Sequence, residues 1–146
     1  MLKRYTFWLS AAVLFQSLTA IVHSLSLFVA PKAENETEQQ LMTLLTTYRR
    51  DMGGGFAPTT ADLMLALSSC FSFVCLLGGL TLGYLLWKQT EPNVMKGIIA
   101  INLIVFGAIF AVMALFTFLP PIILTGLIFV NLLAAYLVVP KVEAAV

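Results

Sequence analysis

Four long apolar runs without a single Asp, Glu, Lys or Arg constrain this chain more than any other feature. They cover residues 5–30, 63–87, 97–119 and 122–139. A helix needs about 20 apolar residues to cross a hydrocarbon core of ~30 Å. Inside that core each backbone polar group must be satisfied within its own segment. Each run therefore predicts a spanning helix, and the 146 residues suffice for one domain. The expected fold is all-α, an integral membrane four-helix bundle. Composition agrees: 60% of residues are apolar and 10% charged, against roughly 45–50% and 25% in soluble domains. The first run is longer than the ~7–15 apolar residues of a secretory signal, and no clean small-x-small cleavage site precedes Pro31. It reads as a retained first span, with a cleaved signal as the alternative.

Basic residues near span ends set the expected orientation. Lys3, Arg4, Lys88, Lys96 and Lys141 fall on one side. The other side has Lys32, Arg49 and Arg50, diluted by Glu34, Glu36, Glu38, Asp51 and Asp62. The bias predicts a multi-pass protein of the bacterial inner (plasma) membrane, with both termini cytoplasmic. A net charge of +1 gives no field for nucleic acid, and that partner class is excluded.

The outer loop, residues 31–61, is the segment with soluble character. Thr37 and Gln40 have capping-box spacing, with acids where the helix dipole favours them. Leu41, Leu44, Leu45, Tyr48 and Met52 then recur at helical spacing, Arg49 and Arg50 fall in the last turn, and Gly53-Gly54-Gly55 stop the helix. This predicts a short amphipathic helix of about four turns on a flexible glycine hinge, lying on the leaflet or acting as a lid. Asn35-Glu36-Thr37 also matches the N-glycosylation acceptor.

Polar residues inside the spans supply the candidate site. Gln16, Thr19, His23 and Ser26 share one face of span one, which should turn into the bundle because lipid offers polar atoms nothing. His23 lies roughly 10 Å from the end of that span, at the depth of Ser68 and Ser69 in span two. Thr59 and Asp62 have capping-box spacing at the start of span two. The conceivable polar pocket comprises Gln16, Thr19, His23, Ser68, Ser69 and Asp62, with Arg49 or Arg50 arriving from the loop. A structural polar network of the same residues is the plainer reading. Asn102 and Asn131 are expected to hydrogen-bond between spans three and four, substrate contact being the alternative.

Small residues mark the packing faces. Ser68, Ser72, Cys75, Gly79 and Gly83 form a strip along span two, answered in span three by Gly97, Ala100, Gly107, Ala111 and Ala114. The strips should pack spans two and three, or one of them against span one. A homodimer or a membrane-protein partner through the Gly79/Gly83 strip is the alternative. Cys70 and Cys75 point about 140° apart on one helix and read as small buried packing residues.

Chemical motifs are lacking. One histidine without nearby cysteine or carboxylate gives too few metal ligands, and no cofactor is expected. No nucleophile elbow orders the serines. The spans hold no charged residue for ion coupling, which argues against a proton-coupled four-helix multidrug exporter. A Cys-x-x-Cys for disulfide chemistry and a Glu-Arg-x-x-x-Asn pattern of the membrane glutathione and eicosanoid enzymes are both missing.

The late first-span histidine, His23, and the outer-helix segment Glu38-Gln39-Gln40-Leu41-Met42 resemble a family of small bacterial four-span membrane proteins grouped around a Leptospira prototype. That family also has an Arg-Thr-x-x-Asp-like start to span two. Here it reads Thr59-Thr60-Ala61-Asp62, without the arginine and the nearby aromatics. The resemblance runs from the first span through the second and implies the same fold, with no activity attached. The leading expectation is a non-enzymatic bundle that binds a lipid-like or apolar small molecule in its outer half. An accessory or assembly subunit of a larger membrane complex is the first alternative. A membrane enzyme acting on a lipid or quinone, with His23 and Asp62 as acid–base pair, is the second.

Overall fold

The computed structural model describes residues 4–29 and 32–140. Five helices follow in order: α1 (Tyr5–Ser26), α2 (Glu36–Thr47), α3 (Thr60–Trp87), α4 (Pro92–Phe116) and α5 (Leu119–Val138). All but α2 are long and apolar enough to cross a membrane. The protein is an all-α, multi-pass membrane protein built on a four-helix bundle. Its outward side chains fit that solvent: Leu67 and Ile104 are each 73% exposed and Leu115 75%, which water would penalise and lipid does not.

The helix ends differ from the sequence expectation, each for a local reason. α1 stops at Ser26, and the N–H groups of Leu27, Phe28 and Val29 donate to carbonyls three residues back, a tightened last turn. Ala30 lies outside the described residues. α4 starts at Pro92 instead of residue 97, and α5 starts at Leu119, so Pro120-Pro121 open the helix instead of breaking the chain before it. Proline suits a first turn because its missing N–H would have no intrahelical partner there. Between α3 and α4, Gln89 takes a left-handed φ of 52°. The N–H of Thr90 reaches the Leu85 carbonyl, closing the end of α3 in Schellman fashion.

The chain divides into two compact units. The first comprises residues up to Ala20 and from Val74 onward, so it holds the first part of α1, the last part of α3, and all of α4 and α5. Its core is Leu9, Ala12 and Gln16 on α1, Cys75 and Leu82 on α3, Met95, Ile99 and Phe106 on α4, and Ile128, Leu132 and Ala135 on α5. α4 and α5 interlock by exchange of small and large residues. A Cβ on Gly107 would sit 3.1 Å from the Phe129 ring, and one on Gly126 would sit 3.1 Å from the Phe110 ring. The two rings stack at 5.9 Å with an interplanar angle of 14°.

α3 meets α1 through the glycines of the expected strip. A Cβ on Gly79 would lie 3.3 Å from Ser17 Oγ and 3.6 Å from the Val13 carbonyl oxygen, and one on Gly83 would lie 3.5 Å from Val13. The strip thus packs span two on span one. Gly79 is buried in that contact and Gly83 half-buried. The matching seam proposed for span three does not form: Gly107 faces α5, Gly97 has open space where its Cβ would be, and Ala111 and Ala114 are exposed. At the end of the unit formed by the α3–α4 loop, Lys88 Nζ lies 4.7 Å over the Trp87 ring and Lys96 Nζ 5.2 Å over the Tyr136 ring. Aromatic–basic pairs of this kind suit the membrane–water interface.

The second unit is residues Ile21–Phe73: the end of α1, all of α2, a hairpin, and the start of α3. α2 is capped by Asn35, not by Thr37 with Gln40. The Asn35 Oδ1 accepts from the Glu38 N–H at 2.9 Å, and Glu38 Oε2 accepts from the Glu34 N–H at 2.7 Å. A cap Asn outranks a Thr two residues later because it also places Glu36 and Glu38 in the first turn. Asn35→Ala is expected to weaken the α2 start by ~1 kcal/mol, read as about fivefold faster amide exchange in its first two turns.

α2 ends at Thr47, a turn earlier than expected. Arg49 and Arg50 are therefore not in a last helical turn. Thr43, Thr46 and Thr47 back-bond to carbonyls three or four residues before them, an arrangement that weakens helices. The chain then turns extended at Tyr48. Arg49 pairs antiparallel with Thr59, the Arg50 N–H donates to the Pro58 carbonyl, and the Met52 N–H donates to the Phe56 carbonyl. Gly53, Gly54 and Gly55 all have positive φ, at 82°, 62° and 83°, and the Gly53 N–H donates to Asp51 Oδ1. Only glycine adopts three such values in succession without strain. These glycines form the tip of a hydrogen-bonded hairpin, not a free hinge.

Candidate functional site

Each unit holds its share of the polar residues singled out in the sequence. In the second unit, the start of α3 is fixed by a reciprocal cap, as the spacing predicts. The Asp62 N–H donates to Thr59 Oγ1 at 3.1 Å, and the Thr59 N–H donates to Asp62 Oδ2 at 2.9 Å. The carboxylate is thereby committed to the backbone, with Arg49 in its electrostatic neighbourhood. The Arg49 guanidinium also donates to the Ala57 carbonyl at 3.0 Å, clamping the hairpin. Arg50 is exposed and contributes its backbone. These residues organise the loop.

His23 stands edge-on to Phe71, ring centroids 5.0 Å apart at 88°. Its Nε2 is buried without a hydrogen-bond partner, and so is the Oγ of Ser72 on α3. The predicted stripe of span one does not stay buried to its end. Gln16 and Thr19 are buried, His23 is half-buried, and Ser26 is exposed with its hydroxyl on the His23 carbonyl at 2.6 Å. Ser69 back-bonds to the Leu65 carbonyl at 2.8 Å. Cys70 is exposed and Cys75 buried, both free, so the expectation of two buried cysteines holds for Cys75 alone. Their ~140° separation on the helix puts one outside when the other is inside.

A concavity of this unit lies under α2. Phe28 and Val29 after α1, Met42 and Leu45 on α2, and Met64 and Leu65 on α3 enclose about 570 Å³. Ser68 also lines it. The volume falls in the ~300–1,000 Å³ range of small-molecule sites, and the lining is almost entirely apolar. α2 turns Met42, Leu45 and Thr46 to this space, while Leu41 and Leu44 of the expected apolar face are exposed alongside Gln39, Gln40 and Thr43.

In the first unit Gln16 is fully enclosed, and neither its Nε2 nor its Oε1 has a hydrogen-bond partner. Thr19 satisfies itself on the Phe15 carbonyl. Asn102 and Asn131 do not bond each other. Asn102 Nδ2 donates to the Ile98 carbonyl at 3.0 Å and Asn131 Nδ2 to the Leu127 carbonyl at 2.7 Å, each within its own helix. Back-bonding four residues along a helix is always available, whereas an interhelical bond needs both amides at one level on facing sides. A cleft of about 250 Å³ runs between α3 and α4 over Gly78, with Thr81 and Asn102 its polar side chains. Sequence reading passed over Gly78, Thr81 and Phe106. The doubled glycine Gly78-Gly79 was the available signal.

Among the described residues no three His, Cys, Asp or Glu side chains are grouped to hold a metal ion. Compared with protein-family models, curated proteins and solved structures, the chain shows no match in any of the three.

Proposed function

We propose that this is a non-catalytic membrane protein that holds a lipid-like apolar molecule under its loop helix, on the outer side of a bacterial inner membrane. The observation that carries the reading is the apolar space of about 570 Å³ beneath α2. An amphipathic helix normally buries its apolar face against protein, yet α2 has no buried residue, and its Met42 and Leu45 border this space instead. In a bilayer the ready occupant is an acyl or isoprenoid chain. The basic residues favour the chain ends on the cytoplasmic side, which puts α2 and the hairpin at the outer leaflet.

Two rival readings have less support. An acid–base pair of His23 and Asp62 would need a free carboxylate, and that of Asp62 is engaged by Thr59. An accessory-subunit role through the Gly79/Gly83 strip would need a strip that α1 does not already cover.

The test is to purify the protein in mild detergent and identify retained lipids by native mass spectrometry. The parent should retain at least one apolar molecule. Leu45→Trp and Met64→Trp, which fill the space, should each lower occupancy at least fivefold while the thermal midpoint stays within a few degrees. Equal retention by parent and both variants would end the proposal.

A further inference from the structure

In the first unit three helices converge on Gly78. A Cβ placed on Gly78 would lie 3.0 Å from Gln16 Nε2, 3.1 Å from Phe106 Cε2 and 3.2 Å from Asn102 Oδ1. Two carboxamides from α1 and α4 thus look onto one point over a residue of α3 that has no side chain. Depth matters here. At ~1.5 Å per residue, Gln16 is about 16 Å into α1 and Asn102 about 15 Å into α4, the middle of a hydrocarbon core of ~30 Å. Water is scarcest at that level, and an unbonded amide is most costly there.

The hydrogen-bond inventory is unbalanced at this point. Asn102 uses an N–H on Ile98 and turns its oxygen toward Gly78. Gln16 has two N–H donors and one carbonyl, all unpartnered. The cleft between α3 and α4 opens directly over Gly78, and its remaining lining is apolar apart from Thr81. Thr19, one turn further along α1, donates its hydroxyl to the Phe15 carbonyl instead of to Gln16.

We propose that this cleft is a binding site for a neutral lipid carrying a free hydroxyl, whose O–H donates to Asn102 Oδ1 while its oxygen accepts from Gln16 Nε2. A hydroxyl donates and accepts through a single atom and is the neutral lipid group that does so. An ester or ketone oxygen would serve Gln16 and leave Asn102 Oδ1 facing another acceptor. Gln16 is enclosed at rest, so the contact forms when its side chain turns toward the cleft by one rotamer. That turn breaks no hydrogen bond, because the amide has none to lose. With a volume of about 250 Å³, the cleft takes the head and first carbons of the lipid and leaves its chains in the bilayer. Charged headgroups are excluded by the depth of the site.

The test uses the purified full-length chain in nanodiscs of dioleoylphosphatidylcholine, alone or doped with dioleoylglycerol or with its acetylated form, which lacks the hydroxyl. Dioleoylglycerol should raise the thermal midpoint by several degrees, and the acetylated form should not. Asn102→Leu and Gln16→Leu should each abolish that rise. Without added lipid, Gln16→Leu should match or exceed the parent in stability, since it removes an unbonded amide from an apolar core. Gly78→Ala, which puts a methyl between the two amides, should also abolish the rise and serves if either amide variant misfolds. Equal responses to the two lipids would overturn the proposal. So would a marked loss of lipid-free stability in Gln16→Leu that is not additive with Asn102→Leu, because the two amides would then be bonded to each other. These readouts do not depend on Leu45 or Met64, so the site beneath α2 can fail while this one stands.

Discussion

Gly79→Leu should abolish the folded state in detergent, with the monodisperse peak lost on size-exclusion chromatography and no cooperative thermal transition. The glycine is buried, and its Cβ position already lies 3.3 Å from Ser17 Oγ, 3.4 Å from Gln16 Cβ and 3.6 Å from the Val13 carbonyl oxygen. Two of these neighbours are close to or part of the α1 backbone and cannot swing aside. Four added carbon atoms must therefore push α1 off α3. Overpacking a core by a methylene or two costs about 1–3 kcal/mol, and separating two helices along a glycine contact costs more. Spans in lipid associate largely through such close packing, and parting the backbones removes it. Gly83→Ala is the graded control. Its Cβ would meet only Val13 at 3.5 Å, an ordinary contact, and a midpoint shift of no more than a few degrees is expected. Normal folding of Gly79→Leu would mean that α1 and α3 are not packed here.

The four spans were legible because lipid imposes a simple rule, about 20 uncharged apolar residues, and this chain obeys it four times. Capping at Thr59 and Asp62 was legible for the same reason, since it depends on residues three apart. Arg49 and Arg50 were misplaced because two local preferences compete over residues 46–52. Apolar spacing favours helix, while the threonine hydroxyls and the glycine run favour a hairpin, and the hairpin prevails by pairing with Pro58 and Thr59 beyond the window of helical periodicity. The convergence on Gly78 was not legible. A search for small residues at helical spacing chooses Gly79 and Gly83, one face of α3. Gly78 lies on the next face, and its meaning comes from Gln16 and Asn102 on other helices. Span packing decides such encounters, and a single sequence does not state its pairing. Asn102 shows how a boundary error propagates: starting span three at residue 97 puts it near the inner surface, and starting α4 at Pro92 moves it to the membrane middle.

The α4–α5 pair gives the second large effect, and it can be tested by repair as well as damage. Gly126 accepts the Phe110 ring so closely that a Cβ would sit 3.1 Å from Cε2, and the Phe110 ring in turn stacks on Phe129, which lies over Gly107. Gly126→Val should therefore displace Phe110, break the stack, and lower the thermal midpoint by several degrees, on the order of 1–3 kcal/mol for an overpacked, half-buried contact. Phe110→Ala alone should also be destabilising, by ~1–3 kcal/mol, less than for a fully enclosed phenylalanine because the ring is half-buried. The double variant is the informative one. With the ring gone, the valine methyls occupy part of the space it leaves, so the double should be more stable than the sum of the two single losses predicts, by 1 kcal/mol or more. Additive losses would show that the ring and the glycine do not meet. Since α4 and α5 are joined only by the short Thr117–Phe118 connection, a broken contact here should also expose both helices to proteolysis at that turn, giving a second readout that does not depend on reversible unfolding.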